Sequence, residues 1–184
     1  ALAEGKSVLR GVLFSDDSRH FLQALIDLGF EVEIDEACAV VSIVGCGGKI
    51  PAYESPVDEK MKNVSDDGMP VNASINVGSA GTAARFLTAY LGLSKGRYFV
   101  DSSQQMKKRP MEELLKALED LGASIDFLEE AYHFPFVIGN DQVSKHEVTI
   151  DVDKSSQFLS ALLIASVLFT EDFVIHVKGH HGMS

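Results

Sequence analysis

Apolar and polar positions along this chain cycle through a recurring order of strand-like and helix-like periods. Residues 7–14 (SVLRGVLF) are rich in β-branched and aromatic side chains and predict a strand. Ser15, Asp16 and Asp17 then supply an N-cap and an acidic first turn. Phe21, Leu22, Leu25 and Leu28 fall on one face of the helix that follows, and Gly29 closes it as a C-cap. Residues 30–34 (FEVEI) alternate as a strand with one apolar face, and residues 39–44 predict another strand, ending at Gly45, Gly47 and Gly48. Residues 79–93 predict a helix entered through Gly78-Ser79-Ala80-Gly81-Thr82, and residues 96–100 a strand. Pro110 suits the first position of a helix that runs to Leu121 and stops at Gly122. Residues 123–128 and 133–138 predict a strand pair. Val148, Ile150 and Val152 alternate in a strand over 147–152, a helix follows from Ser155 or Ser156 as far as Leu168, and residues 173–177 predict a last strand. Residues 49–72 break the pattern: Pro51, Pro56, Pro70, Gly68 and many charges predict a long surface loop.

The blocks resemble one another. Residues 24–29 (ALIDLG) match residues 117–122 (ALEDLG), and an alternating strand follows each. With the recurring strand, helix, strand order, this predicts an α+β (α/β) domain of repeated βαβαββ units. Three-fold repetition of that kind would put helices inside and mixed sheets outside. A generic α+β domain whose helices share a common ending is the plainer alternative.

Composition narrows the function classes. The chain has 184 residues and 20.0 kDa, which fits a single domain over 1–184 or two small ones, and its 46% hydrophobic content is enough for a core. The formal net charge of -11 argues against nucleic acid as a partner, because phosphate neutralisation by cations supplies most of that affinity. It leaves room for small anions, since a few local cations dominate a concave site. The longest apolar stretch, residues 158–169, is broken by Ser160 and Ser166 and falls short of the roughly 18 residues that read as a membrane span. No basic region followed by an apolar block marks a signal peptide. Cys38 and Cys46 make neither a disulfide framework nor a metal-type spacing, so a soluble protein of the reducing cytoplasm is expected. The chain opens Ala-Leu-Ala-Glu-Gly, and its first six residues read as the tail of an element, as in a piece cut from a longer chain.

Three segments carry candidate chemistry. In Gly78-Ser79-Ala80-Gly81-Thr82-Ala83-Ala84-Arg85, small residues open a helix. Glycine lets an anion approach the backbone, helix-start amides and the dipole favour negative charge, and Arg85 follows one turn in. A tightly packed helix start is the alternative. Gln105-Met106-Lys107-Lys108-Arg109-Pro110 is the densest positive cluster of an acidic chain. The planar fork of Arg suits carboxylate or phosphate, whereas a solvated basic turn is the alternative. In Lys154-Ser155-Ser156-Gln157, adjacent hydroxyls and helix-start amides would cradle a phosphate. Ordinary serine capping with a solvated Gln157 is the alternative. Together the three helix starts suggest a site for a phosphorylated or carboxylated small molecule.

In their order, GSAGTAAR, QQMKKRPMEELLKALEDLGA and SSQFLSALLIAS resemble the 5-enolpyruvylshikimate-3-phosphate synthase family, as does the early stretch GKSVLRGVLFSDDSRHFLQALIDLG. The resemblance covers most of the chain apart from residues 49–72. It implies the enolpyruvyl transferase fold and, for this chain, the shikimate 3-phosphate-binding half of a two-domain enzyme. The implied reaction moves the enolpyruvyl group of phosphoenolpyruvate to the 5-hydroxyl of shikimate 3-phosphate, in aromatic amino-acid biosynthesis. By resemblance, Gly81, Thr82, Arg109 and Gln157 bind phosphoenolpyruvate, and Ser155, Ser156 and Gln157 bind shikimate 3-phosphate, with Ser184 as a further candidate for that phosphate. Ser79, Arg85 and Gln105 support the site. Ser79 and Gln105 stand where the family usually has Asn and Arg, and Lys108 where an acidic residue is common. No catalytic acid or base, no cofactor and no metal are expected in this chain, and the other expected partner is the enzyme's second domain. A UDP-N-acetylglucosamine enolpyruvyl transferase-like domain is the alternative within the fold, but that family carries a reactive Cys ahead of Arg-Pro and residues 101–109 contain none. Two other classes are a metal module using His176, His180 and His181, although His176 lies in a strand pattern, and a non-catalytic interaction domain working through residues 49–72.

Overall fold

The computed structural model describes residues 1–55, 68–141 and 144–179. Strand β1 (Glu4–Arg10) pairs antiparallel along its length with β3 (Val40–Cys46), from Glu4 opposite Cys46 to Arg10 opposite Val40. The partner strand sets where β1 lies. The expected strand over 7–14 is therefore corrected: pairing starts at Glu4, inside the stretch read as the tail of another element, and residues 11–14 are a connection. Helix α1 (Asp16–Asp27) follows, with Leu22, Ala24 and Leu25 buried. Gly29 behind it adopts φ +87°, a left-handed conformation that suits glycine at a helix end. Strand β2 (Val32–Asp35) returns antiparallel to β3, giving the order β1-β3-β2.

Ser15 caps α1 as its sequence predicts, its side chain accepting from the Ser18 amide at 3.3 Å. Ser15→Ala is expected to remove about 1 kcal/mol of stability and lower the unfolding midpoint by about 2–4 °C. Thermal unfolding followed by circular dichroism checks this, and an unchanged midpoint would show that the cap contributes nothing.

The polar stretch after β3 differs from the surface loop expected there. Helix α2 (Pro51–Glu54) forms one turn, Ile50 and Val71 are buried, and the Ala52 amide donates to the Leu28 carbonyl at 3.0 Å. The few apolar residues among the prolines and charges anchor the ends of the segment to the core. Residues 56–67 lie outside the described residues.

The central unit runs β4 (Ala73–Asn76), α3 (Gly81–Gly92), β5 (Gly96–Asp101), α4 (Gln104–Lys107), α5 (Glu112–Asp120), β6 (Ser124–Phe127) and β7 (Phe136–Asn140). Its sheet order is β4-β5-β7-β6, with β4 parallel to β5 and the other pairs antiparallel. A parallel pair needs a crossover, and α3 is that crossover. The last part is another parallel pair, β8 (Glu147–Asp151) and β9 (Val174–Lys178), joined through α6 (Gln157–Ala165), which tightens into a 3-10 turn over Ser166–Leu168.

The repetition legible in sequence is present in the topology. β1-α1-β2-β3 has the strand order and pairing of β5-α5-β6-β7, and β8-α6-β9 reproduces β4-α3-β5. Helix α3 is buried throughout except at Thr82 and Phe86. The Tyr90 hydroxyl donates to the carbonyls of Gly48 and Lys49 at 3.2 Å, tying this helix to the end of β3. Strands β3, β5 and β8 alternate buried and more accessible residues, so their sheets turn one face inward. Helices inside and mixed sheets outside are the arrangement that the repeats predicted. Among the described residues no helix is long and apolar enough to cross a membrane.

Candidate functional site

Because β4 and β5 run parallel, with Asn76 beside Asp101, the turns leaving their C-terminal ends are neighbours. The first turn is held by the Asn76 side chain, which accepts from the Gly78 amide at 2.8 Å, and by the Gly78 carbonyl, which accepts from the Ser103 amide at 3.0 Å. Gly78 has φ +55°, a left-handed conformation that favours glycine, and a Cβ there would sit 2.3 Å from Nε2 of His20, so a side chain would have to displace that ring. The hydroxyls of Ser79 and Ser103 are 2.7 Å apart and join the two turns. Helix α3 starts with Ala80 at its N-cap and no side-chain acceptor, so its first-turn amides remain available to a ligand.

Arg85 organises the start of that helix. Its Nη1 donates to the Gly81 carbonyl and to Gln157 Oε1, each at 3.0 Å, and its Nη2 to the Pro110 carbonyl at 3.3 Å. Gln157 Nε2 reaches Thr82 Oγ1 at 3.4 Å. One side chain thus ties the starts of α3 and α6 to the turn before α5. Arg109 faces the same point: a methyl group on Gly81 would lie 2.8 Å from Nη1 of Arg109 and 2.8 Å from Nη1 of Arg85. The sequence alternative of a solvated Gln157 is therefore corrected, because its amide lies between Arg85 and Thr82.

The electrostatics are one-sided. Arg85 is only 5% exposed, its Nε has no partner among the described residues, and no carboxylate there pairs with it. The Phe158 ring lies 5.6 Å from its guanidinium carbon. Burial, and secondarily the charge of Arg109, lowers the Arg85 pKa from its ordinary value, yet a guanidinium remains protonated in proteins. A buried charge without a counter-ion is costly, and an anion at Gly81 would offset that cost.

The turn carrying Arg109 is built on α4. Ser103 caps it, accepting from the Met106 amide at 3.3 Å, and Met106 is fully buried. Lys107, part of the positive cluster read from sequence, is committed elsewhere: its Nζ lies 2.9 Å from Glu129 Oε1 and 3.9 Å from Asp101 Oδ1. Among the described residues, Lys108 and Arg109 have no ion-pair partner and are exposed. Pro110 does not start the next helix as its sequence suggested. Met111 is the N-cap and Glu112 the first helical residue, because Met111 is 1% exposed and anchors the turn in a non-helical conformation at φ -132°.

At the third segment, Ser155 Oγ accepts from the Gln157 amide at 3.3 Å, while Ser156 occupies the N-cap position without a side-chain cap bond. Ser155 therefore caps α6, and the exposed Ser156 hydroxyl stays open to a ligand. Gln105 sits on the exposed side of α4. Ser184, His180 and His181 lie outside the described residues, and His176 in β9 bonds to Glu147 at 2.6 Å. Two contributors escaped the sequence reading. Ser103 carried a usable signal, a serine at a capping position, whereas nothing in sequence marks His20 as the neighbour of Gly78. Thr82, Arg109 and Ser156 of this cluster are exposed, while Gly81 and Arg85 are buried. Concavities of about 500 Å³ beside Arg97, Asp126 and Val137, and about 430 Å³ beside Lys107 and Glu129, lie next to paired charges, so size alone does not select them over the Gly81 site.

The sequence profile of EPSP synthase (3-phosphoshikimate 1-carboxyvinyltransferase) matches residues 1–183. The chain belongs to the EPSP synthase family. It is 34% identical over 179 residues to the 3-phosphoshikimate 1-carboxyvinyltransferase of Trichormus variabilis, covering 97% of this chain and 38% of that protein. The corresponding protein of Sulfurovum sp. is 37% identical over 179 residues, again 97% of this chain and 38% of the relative. Among solved structures, EPSP synthase from Acinetobacter baumannii superposes with a TM-score of 0.73 at 25% identity, over 99% of this chain and 37% of that one. The fold is thus that of the enolpyruvyl transferases, and this family member spans 38% of the length of the curated relatives it matches.

Proposed function

We propose that this chain forms one substrate-binding wall of a 5-enolpyruvylshikimate-3-phosphate synthase. The enzyme would transfer the enolpyruvyl group of phosphoenolpyruvate to the 5-hydroxyl of shikimate 3-phosphate and release phosphate, within aromatic amino-acid biosynthesis in the cytoplasm. Its two cysteines, both thiols, suit a reducing compartment. The observation that carries the reading is the meeting of Arg85, Arg109 and Gln157 at Gly81, in a chain of this family. The amides of Gly81 and Thr82, the Arg109 fork and Gln157 take phosphoenolpyruvate. The hydroxyls of Ser155 and Ser156 take the 3-phosphate of shikimate 3-phosphate, with Gln157 between the two substrates. Ser79, Arg85 and Gln105 support them, and Ser184 remains a candidate for the same phosphate.

The chemistry has two steps. The 5-hydroxyl oxygen bonds to C2 of phosphoenolpyruvate, giving up its proton, while C3 gains one. C3 then loses a proton as the bond from C2 to the phosphate oxygen breaks. Each proton transfer needs a positioned acid or base. The groups converging at Gly81 are guanidinium, amide and hydroxyl, which bind and orient at neutral pH but do not shuttle protons. We therefore assign binding to this chain and proton transfer to an opposing domain, drawn from the length that the relatives have beyond this match. Two walls that close would also exclude water.

Calorimetric titration of the 184-residue chain with shikimate 3-phosphate and phosphoenolpyruvate tests the assignment, alongside a phosphate-release assay. Binding of shikimate 3-phosphate with negligible turnover is expected. Absence of binding by both ligands would overturn the site. Measurable turnover would overturn the placing of the proton-transfer groups outside this chain.

A further inference from the structure

Lys154 directly precedes Ser155 and Ser156, so its position in sequence suggests a cation that grips substrate. Its contacts are different. Nζ lies 3.3 Å from Glu113 Oε1 and 3.6 Å from Glu112 Oε2, and Glu112 is also bonded to Lys116 at 2.6 Å. Glu112 and Glu113 open the first turn of α5, immediately beyond the Arg109-Pro110-Met111 turn. They place two carboxylates beside groups arranged to attract anions. Arg85 links the same two segments from within the core, through Gln157 on one side and the Pro110 carbonyl on the other. The segments around Arg109 and Ser155 are thus joined twice, by a buried guanidinium and by a half-exposed ammonium at the rim.

We propose that Lys154 neutralises Glu112 and Glu113, so that their charge does not oppose an anion held between the Arg109 turn and the Ser155–Gln157 turn. The site then keeps a positive potential in a chain whose net charge is -11. This inference rests on the reading of Arg109 and Ser155–Gln157 as a binding site for phosphorylated substrates. An exposed ion pair contributes little to folding. Its effect on a multiply charged ligand acts through space, falls with distance and is screened by salt. Lys154 should therefore matter to ligand affinity at low salt and barely to stability.

The test is calorimetric titration of shikimate 3-phosphate into the wild-type chain, Lys154→Met, Lys154→Arg and the triple variant K154M/E112Q/E113Q. Each is measured at about 10 mM and about 1 M salt, where screening lengths are about 30 Å and about 3 Å. K154M is expected to bind about fivefold more weakly at low salt and to match wild type at high salt. K154R and the triple variant should return to the wild-type affinity. An unchanged affinity in K154M overturns the proposal, as does an equal loss at both salt concentrations or a triple variant as weak as K154M. If wild type and Arg109→Ala titrate alike with no binding, the substrate site itself fails and this inference falls with it. A failure confined to the Lys154 series leaves the site standing.

Discussion

Replacing Gly81 by alanine is expected to weaken phosphoenolpyruvate binding by about 10- to 100-fold while the fold survives. The added methyl would stand 2.8 Å from Nη1 of both Arg85 and Arg109, closer than real side-chain carbons approach. Both guanidinium groups must shift. Arg85 is buried and held by three carbonyl-type acceptors, whereas Arg109 is exposed and has no ion-pair partner among the described residues. Arg109 therefore moves further, and the ligand would lose a charge-assisted hydrogen bond worth about 1.5–3 kcal/mol. The methyl would also occupy the space proposed for an anion at the first-turn amides. Stability should change little, because the preference of a helix for alanine over glycine is offset by the shift imposed on the Arg85 fork. Calorimetry on the G81A chain, with its thermal midpoint as control, checks both halves. Wild-type affinity in a folded G81A chain would show that the anion does not sit at this helix start.

Arg85→Ala should cause the largest loss of stability among the changes considered, about 3 kcal/mol, or roughly 6–12 °C in midpoint. The substitution deletes a side chain that is only 5% exposed, opens a space against Phe158 and strips donors from Gln157 and the Pro110 carbonyl. Part of the loss is offset, because Arg85 is a buried cation beside Arg109 and its removal relieves that repulsion. The offset separates two variants. Arg85→Met keeps much of the packing without the charge and should lie between wild type and Arg85→Ala. Lysine at this position offers a compact ammonium in place of a planar fork, and cannot serve Gly81, Gln157 and Pro110 together. Urea unfolding of the three variants measures the order. A thermal midpoint within one degree of wild type for Arg85→Ala, measured alongside, would mean that this residue does not hold the site together. Ligand should add stability to wild type as the logarithm of one plus its concentration over Kd, and add less to Arg85→Ala, because Gln157 there has lost its anchor.

The starts of α3 and α6 were legible because they are local. Gly81 with Thr82, and Ser155 with Ser156, are small or hydroxylated residues ahead of apolar helical runs, and helix-start amides need no distant partner to be available. Ser15 could be read as a cap for the same reason. The matching ALIDLG and ALEDLG endings disclosed the repeat, since like sequences make like helix-to-strand turns. The same reading failed where a remote strand or core contact decided the outcome. β1 begins at Glu4 because β3 pairs it from there, and Ile50, Ala52 and Val71 leave the surface because they find the core.

From the amino-acid order alone came the alternation of elements, the internal repeat, the three anion-friendly helix starts and the resemblance to the family. Those follow from periodicity and from hydrogen-bonding groups within a turn of each other. Tertiary structure alone decided which cations remain available to a ligand. Lys107 meets Glu129 across 22 residues and Lys154 meets Glu113 across 41, while Arg85 turns inward to Gln157 across 72. The charge at the site depends on which carboxylates folding brings beside each cation, and the pattern along the chain carries no record of those distances.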